Sequence, residues 1–87
     1  MSLAESIQAR LAALEPTSVE LQDESSQHLG HAGWNVGGSH FRLTIVSPRF
    51  AGRDRLARHR MVYDALEPLI RDDIHALAIH ALAPDEL

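Results

Sequence analysis

Apolar spacing switches along this chain between a helical and a strand-like period, in the order helix, strand, strand, helix, short helix, strand. That order predicts an α+β fold, a two-layer sandwich of a three-stranded mixed sheet with helices on one face. Leu3, Ile7, Leu11 and Leu14 recur every three or four residues, whereas 40–47 and 74–81 alternate apolar with polar. No repeat, low-complexity run or linker divides the 87 residues, so residues 1–87 read as a single domain. A chain of this size buries roughly 60–65% of its unfolded surface. Its 45% of hydrophobic residues are therefore committed to one core, which excludes a multidomain enzyme and leaves little surface for a deep pocket.

Each element has a local reason. Ser2 and Glu5 have the spacing of a capping box ahead of the first helix, and Pro16 ends it. In residues 18–23, Val19 and Leu21 alternate with Ser18, Glu20 and Gln22, a short half-buried strand. Residues 24–39 hold four of the five glycines without sustained periodicity, a long loop joining a hairpin. HFRLTIVS at 40–47 puts Phe41, Leu43 and Ile45 on one face and Arg42, Thr44 and Val46 on the other, and Pro48 stops it. Asp54 then caps a helix expected to bury Leu56, His59, Tyr63 and Leu66, with Val62 and Leu69 adjoining. Pro68 leaves only a short turn of helix near Leu69–Arg71. The last strand is expected over Ile74–Ala81; reaching it requires a helical crossover, so it should run parallel to a neighbour.

There is no cysteine, hence no disulfide and no thiolate site from this chain alone. With no apolar run near ~20 residues and no signal-peptide pattern at Met1–Glu5, the expectation is a cytoplasmic protein without membrane association. The formal charge is −4, but Arg49, Arg53, Arg55, Arg58 and Arg60 crowd a window whose only acid is Asp54. That basic patch is a candidate nucleic-acid contact through Arg49, Arg53, Arg55 and Arg58; a solvated face or a docking surface for an acidic protein is the weightier reading.

Six histidines are the informative residues: His28, His31, His40, His59, His75 and His80. His59 fits a hydrogen-bonded, half-buried place on its helix, and His40 a satisfied polar position at a strand end. His75 and His80 differ by an odd number and face opposite ways on a regular strand, so at most one joins a given site. His75 follows the turn Arg71–Asp73, where a side chain reaches past the sheet rim. His28 and His31 lie in the glycine-bearing loop, as does Trp34, a candidate partner anchor. A catalytic zinc held by three of these imidazoles is not singled out by their spacing. Gly30-His31-Ala32-Gly33 spells the Gly-x-x-Gly of KH domains, but in a hairpin loop rather than between helices. The motifs of P-loop, dinucleotide and Gly-x-Ser-x-Gly enzymes are absent.

Asp23-Glu24-Ser25 followed by His28, Ser39-His40-Phe41, Val46-Ser47, Arg49-Phe50-x-Gly52, Arg58-His59-Arg60, Tyr63 and Ile74-His75-Ala76-Leu77 occur in this order. Through them the chain, from about Leu3 to Glu86, closely resembles the BolA family. The resemblance implies a class II KH-like fold of order αββααβ and no catalytic activity. It implies an adaptor that pairs with monothiol CGFS-type glutaredoxins and shares a bridging 2Fe–2S cluster with the glutaredoxin thiolate and glutathione, for iron–sulfur trafficking or iron and redox regulation. In this reading His75 is one metal ligand and a histidine of the loop is the second, with His28 favoured and His31 the alternative. The free chain would be a monomer or weak dimer without cofactor. Some family members are described as transcription factors of stress response and morphology, which makes DNA the alternative partner. Imidazole in place of thiolate lowers the cluster's negative charge, as in Rieske centres, and ties binding to pH, since a histidine of pKa ~6.5 must be neutral to ligate.

Overall fold

The computed structural model describes residues 2–24 and 40–87. Helix α1 (Leu3–Leu11) begins with the expected capping box: the Ser2 hydroxyl accepts from the Glu5 N–H at 3.1 Å, and the Glu5 carboxylate accepts from the Ser2 N–H at 2.8 Å. These bonds hold the Glu5 pKa below its ordinary value. The helix tightens into a 3-10 turn, Ala12–Leu14, and Glu15 adopts a left-handed φ of 52° before Pro16.

Strand β1 (Ser18–Asp23) has the bounds that alternation predicts. It pairs antiparallel with β2 (His40–Val46), Ser18 opposite Val46 and Asp23 opposite Phe41. After a 3-10 turn at Pro48–Phe50, α2 (Arg55–Leu66) is capped by Asp54, whose carboxylate accepts from the Ala57 N–H at 2.8 Å. The short α3 (Leu69–Asp72) completes the crossover, and β3 (Ala76–Leu82) runs parallel to β2. The sheet order is β1-β2-β3, so the mixed sheet and the αββααβ order agree with expectation.

One face of the sheet carries Val19, Leu21, Phe41, Leu43, Ile45, Leu77, Ile79 and Ala81 against Ile7, Leu11 and Leu14 from the first helical segment and Val62 and Leu66 from α2. The other face presents Ser18, Glu20, Gln22, Arg42, Ala76, Ala78 and His80 to solvent. Val46, in phase with Arg42 and Thr44, is nevertheless buried at the end of β2. Ser47 ties that end together. Its hydroxyl donates to the Leu14 carbonyl at 2.6 Å and accepts from the Arg49 N–H at 3.1 Å, while its own N–H donates to the Leu82 carbonyl at 2.9 Å. The hydroxyl is fully buried and fully bonded, the condition under which a buried polar group is tolerated.

The structure corrects two details. The buried stripe of α2 is Val62 and Leu66, whereas Leu56 is 59% and Tyr63 40% exposed. Leu56 sits in the first turn of α2 and is not covered by any of the described residues' core packing. The third strand starts two residues later than expected: Ile74 is a buried plug and His75 lies in the bend before Ala76.

Candidate functional site

The parallel pairing of β2 with β3 has a direct consequence for the histidines. His40 is in register with Ala76, so the start of β2 lies beside the residue immediately before β3. The rings of His40 and His75 are 5.1 Å apart between centroids, tilted by 47°. His40 is half-buried and His75 exposed. A polar depression of about 360 Å³ adjoins His75, lined by Arg71, Asp72 and Asp73 together with Ile70 and Ile74. Ile74 is the anchor: its N–H donates to the Leu69 carbonyl at 2.9 Å and its side chain is buried, so the bend presents His75 from a fixed base.

The frame around this pair includes both ends of the glycine-bearing segment. The Glu24 N–H donates to the His40 carbonyl at 2.8 Å, one step beyond the Asp23–Phe41 pair, and the Glu24 carboxylate accepts from Arg42 Nε at 3.0 Å. The chain that carries His28, His31 and Trp34 therefore departs from and returns to the His40–His75 corner. Those three residues, and Gly30–Gly33, lie outside the described residues. Among the described residues no three histidine or acidic side chains converge to hold a metal ion.

His75 lies off the strand, in the bend before β3, and is open to solvent. His40 is the residue that sequence reasoning passed over, since its position at a strand end suggested only a satisfied polar group. The available signal was the parallel crossover, which brings the beginnings of the second and third strands side by side. His80 is on the outward sheet face, opposite Thr44, well along β3 from this corner.

The arginines lie at the opposite end of β3, and much of their capacity is used internally. Arg49 Nη1 donates to the Ala13 carbonyl at 3.1 Å and lies 3.8 Å from a Glu15 carboxylate oxygen. Arg58 donates through Nη1 and Nη2 to the two Glu86 oxygens at 2.6 and 2.8 Å, through Nη1 to the Ala81 carbonyl at 3.0 Å, and through Nε to the Arg53 carbonyl at 2.9 Å. This bidentate bond, with a second from the Ala83 N–H, lowers the Glu86 pKa to about 2 and raises that of Arg58. Arg53 Nε donates to the Arg49 carbonyl at 3.3 Å. Arg53 and Arg55 are exposed, and no ion pair or side-chain hydrogen bond joins Arg55 to another described residue.

Residues 11–86 match the family model described as BolA-like protein. The chain belongs to the BolA family. A protein encoded in the cobS 5' region of a Sinorhizobium species is 46% identical over 99% of this BolA chain and 96% of its own length. The DNA-binding transcriptional regulator BolA of Escherichia coli K12 is 42% identical over 92% of this chain and 74% of its own. Among solved structures, BolA1 from Arabidopsis thaliana superposes with a TM-score of 0.85 at 32% identity, covering 100% of this chain and 98% of that one. Some relatives are longer: this BolA chain covers 56% of mouse BolA-like protein 1. Among its described residues no helix is long and apolar enough to cross a membrane.

Proposed function

We propose that this BolA chain is a non-enzymatic adaptor that pairs with a monothiol CGFS-type glutaredoxin and shares a bridging 2Fe–2S cluster with it. The observation that carries the reading is the exposed His75, set just before β3 with the His40 ring 5.1 Å away, at the corner where the histidine-bearing segment is anchored. Imidazole nitrogens fit such a cluster as neutral ligands that leave it less negative than thiolates do. With no cysteine of its own, the chain would leave the remaining positions to the glutaredoxin thiolate and glutathione. His75 is the ligand proposed from the described residues. The second is His28, with His31 as the alternative, and His40 packs beside the site.

Visible circular dichroism of a 2Fe–2S-loaded monothiol glutaredoxin titrated with this chain tests the reading. Wild type should change the cluster spectrum to a one-to-one end point and His75→Ala should not, while His28→Ala and His31→Ala identify the second ligand. A spectrum that wild type leaves untouched, or that His75→Ala changes as fully as wild type, sinks it.

DNA binding is the second reading, supported by the name of the E. coli relative and by the exposed Arg53 and Arg55 at the start of α2. Under that reading Arg53→Glu with Arg55→Glu lowers DNA affinity and flattens its salt dependence, and leaves the glutaredoxin titration unchanged.

A further inference from the structure

β3 is an edge strand, and its two halves are finished differently. The Ser47 N–H bonds the Leu82 carbonyl, so Leu82 and, by alternation, His80, Ala78 and Ala76 turn their backbone groups toward β2. Leu77, Ile79, Ala81 and Ala83 turn theirs to the free edge. At the end of the strand this edge is occupied: Arg58 Nη1 donates to the Ala81 carbonyl at 3.0 Å, and the Ala83 N–H donates to Glu86 Oε1 at 2.8 Å. The N–H and C=O of Leu77 and Ile79, and the N–H of Ala81, have no partner among the described residues. A row of such groups is a template for another strand unless it is covered.

A groove of about 530 Å³ follows the same edge between β3 and the start of α2. Its α2 wall is Arg53, Arg55, Arg58 and His59, its floor includes Ile79 and Ala81, and no acidic side chain lines it. Arg58 is neutralised by Glu86, whereas Arg55 is not paired among the described residues. We infer that the Leu77–Ala81 edge of β3 binds an extended acidic peptide segment of a partner protein as a fourth strand, with alternate carboxylates over the α2 wall at Arg53 and Arg55. The free backbone supplies pairing that depends on a peptide backbone, and the strand period of two brings every second side chain to the arginines. A second copy of this β3 does not suit the groove, because its sequence ALAIHAL carries no carboxylate to set over Arg53 and Arg55. The groove lining begins at Ile79, farther along β3 than the His40–His75 corner, and the inference does not rest on cluster sharing.

The experiment titrates the full ¹⁵N-labelled chain with an acetylated, amidated peptide of alternating Glu and Val, seven residues long. The expected result is saturable shifts of the Leu77, Ile79 and Ala81 amides with slowed hydrogen exchange. The Lys–Val counterpart should not bind. Arg55→Glu, which places an acid favourably in the first turn of α2 and so keeps the fold, should weaken the Glu–Val peptide about fivefold or more. Two versions of the peptide N-methylated on alternate residues test the backbone role, and the one that blocks the edge-facing amides should lose binding. The inference is overturned by an absence of saturable shifts, by both N-methylated peptides binding as well as the parent, or by a thymidine heptanucleotide moving the same amides at lower concentration. Sedimentation showing that the chain self-associates through this edge would also overturn it.

Discussion

The two ends of β3 were built for different purposes from the same strand. At its C-terminal end the polar groups satisfy one another: Ser47 bridges the first helical turn and β3, Arg58 grips Glu86 with two bonds, and Glu86 also takes the Ala83 N–H. At its N-terminal end a buried Ile74 holds the backbone, and the imidazole next to it is left to solvent. Internal bonding at one end thus contrasts with an exposed imidazole at the other, the length of one strand away. Removing the internally bonded groups Ser47 and Glu86 should be read in melting curves, whereas removing the exposed His75 side chain should leave those curves nearly unchanged.

Four substitutions sharpen this contrast. Leu43→Ala, in the fully buried middle of the sheet, sets the upper scale, with an expected loss of about 2–5 kcal/mol by chemical denaturation. Ser47→Ala should cost about 1–3 kcal/mol, because the Leu14 carbonyl loses its buried donor and the Arg49 N–H its acceptor. An equal stability for Ser47→Ala and wild type would show that the closed end is not held by this hydroxyl.

Glu86→Gln has a smaller effect that depends on pH. The Glu86 pKa is depressed in the folded state, to about 2 from an ordinary 4.5, so its stabilisation is present above pH 4.5 and is lost as pH falls toward 2. The variant should therefore melt below wild type at pH 6, and the gap should close in acid. A gap that is unchanged at pH 2 would assign the loss to packing rather than to the ionised pair. His75→Ala should change stability least, within about 0.5 kcal/mol, since the side chain is exposed. A large loss there would break the contrast, because it would make His75 part of the scaffold.

Much of this architecture is legible in sequence because local rules govern it. The capping box at Ser2–Glu5, the bounds of β1 and the parallel third strand all follow from neighbours a few residues apart or from the crossover they enforce. The α2 stripe is misread because periodicity alone favours Leu56 and Tyr63 and contains nothing about which side of the helix its neighbours in space cover. Arg58 reads as one charge in a basic run, yet its partners are Ala81 and Glu86, 23 and 28 residues away. The His40–His75 contact is likewise non-local, set by strand register and by a bend that shifts His75 off the strand. His75 itself is conspicuous in the sequence; what surrounds it required three dimensions.

The bond from the Glu24 N–H to the His40 carbonyl closes the hairpin at the point where the ladder ends. Among the described residues, the register of β1 on β2 is set by the six pairs behind that bond. Six ladder pairs and this closing bond, all made by described residues, thus fix the position of His40 beside His75 at the rim of the sheet.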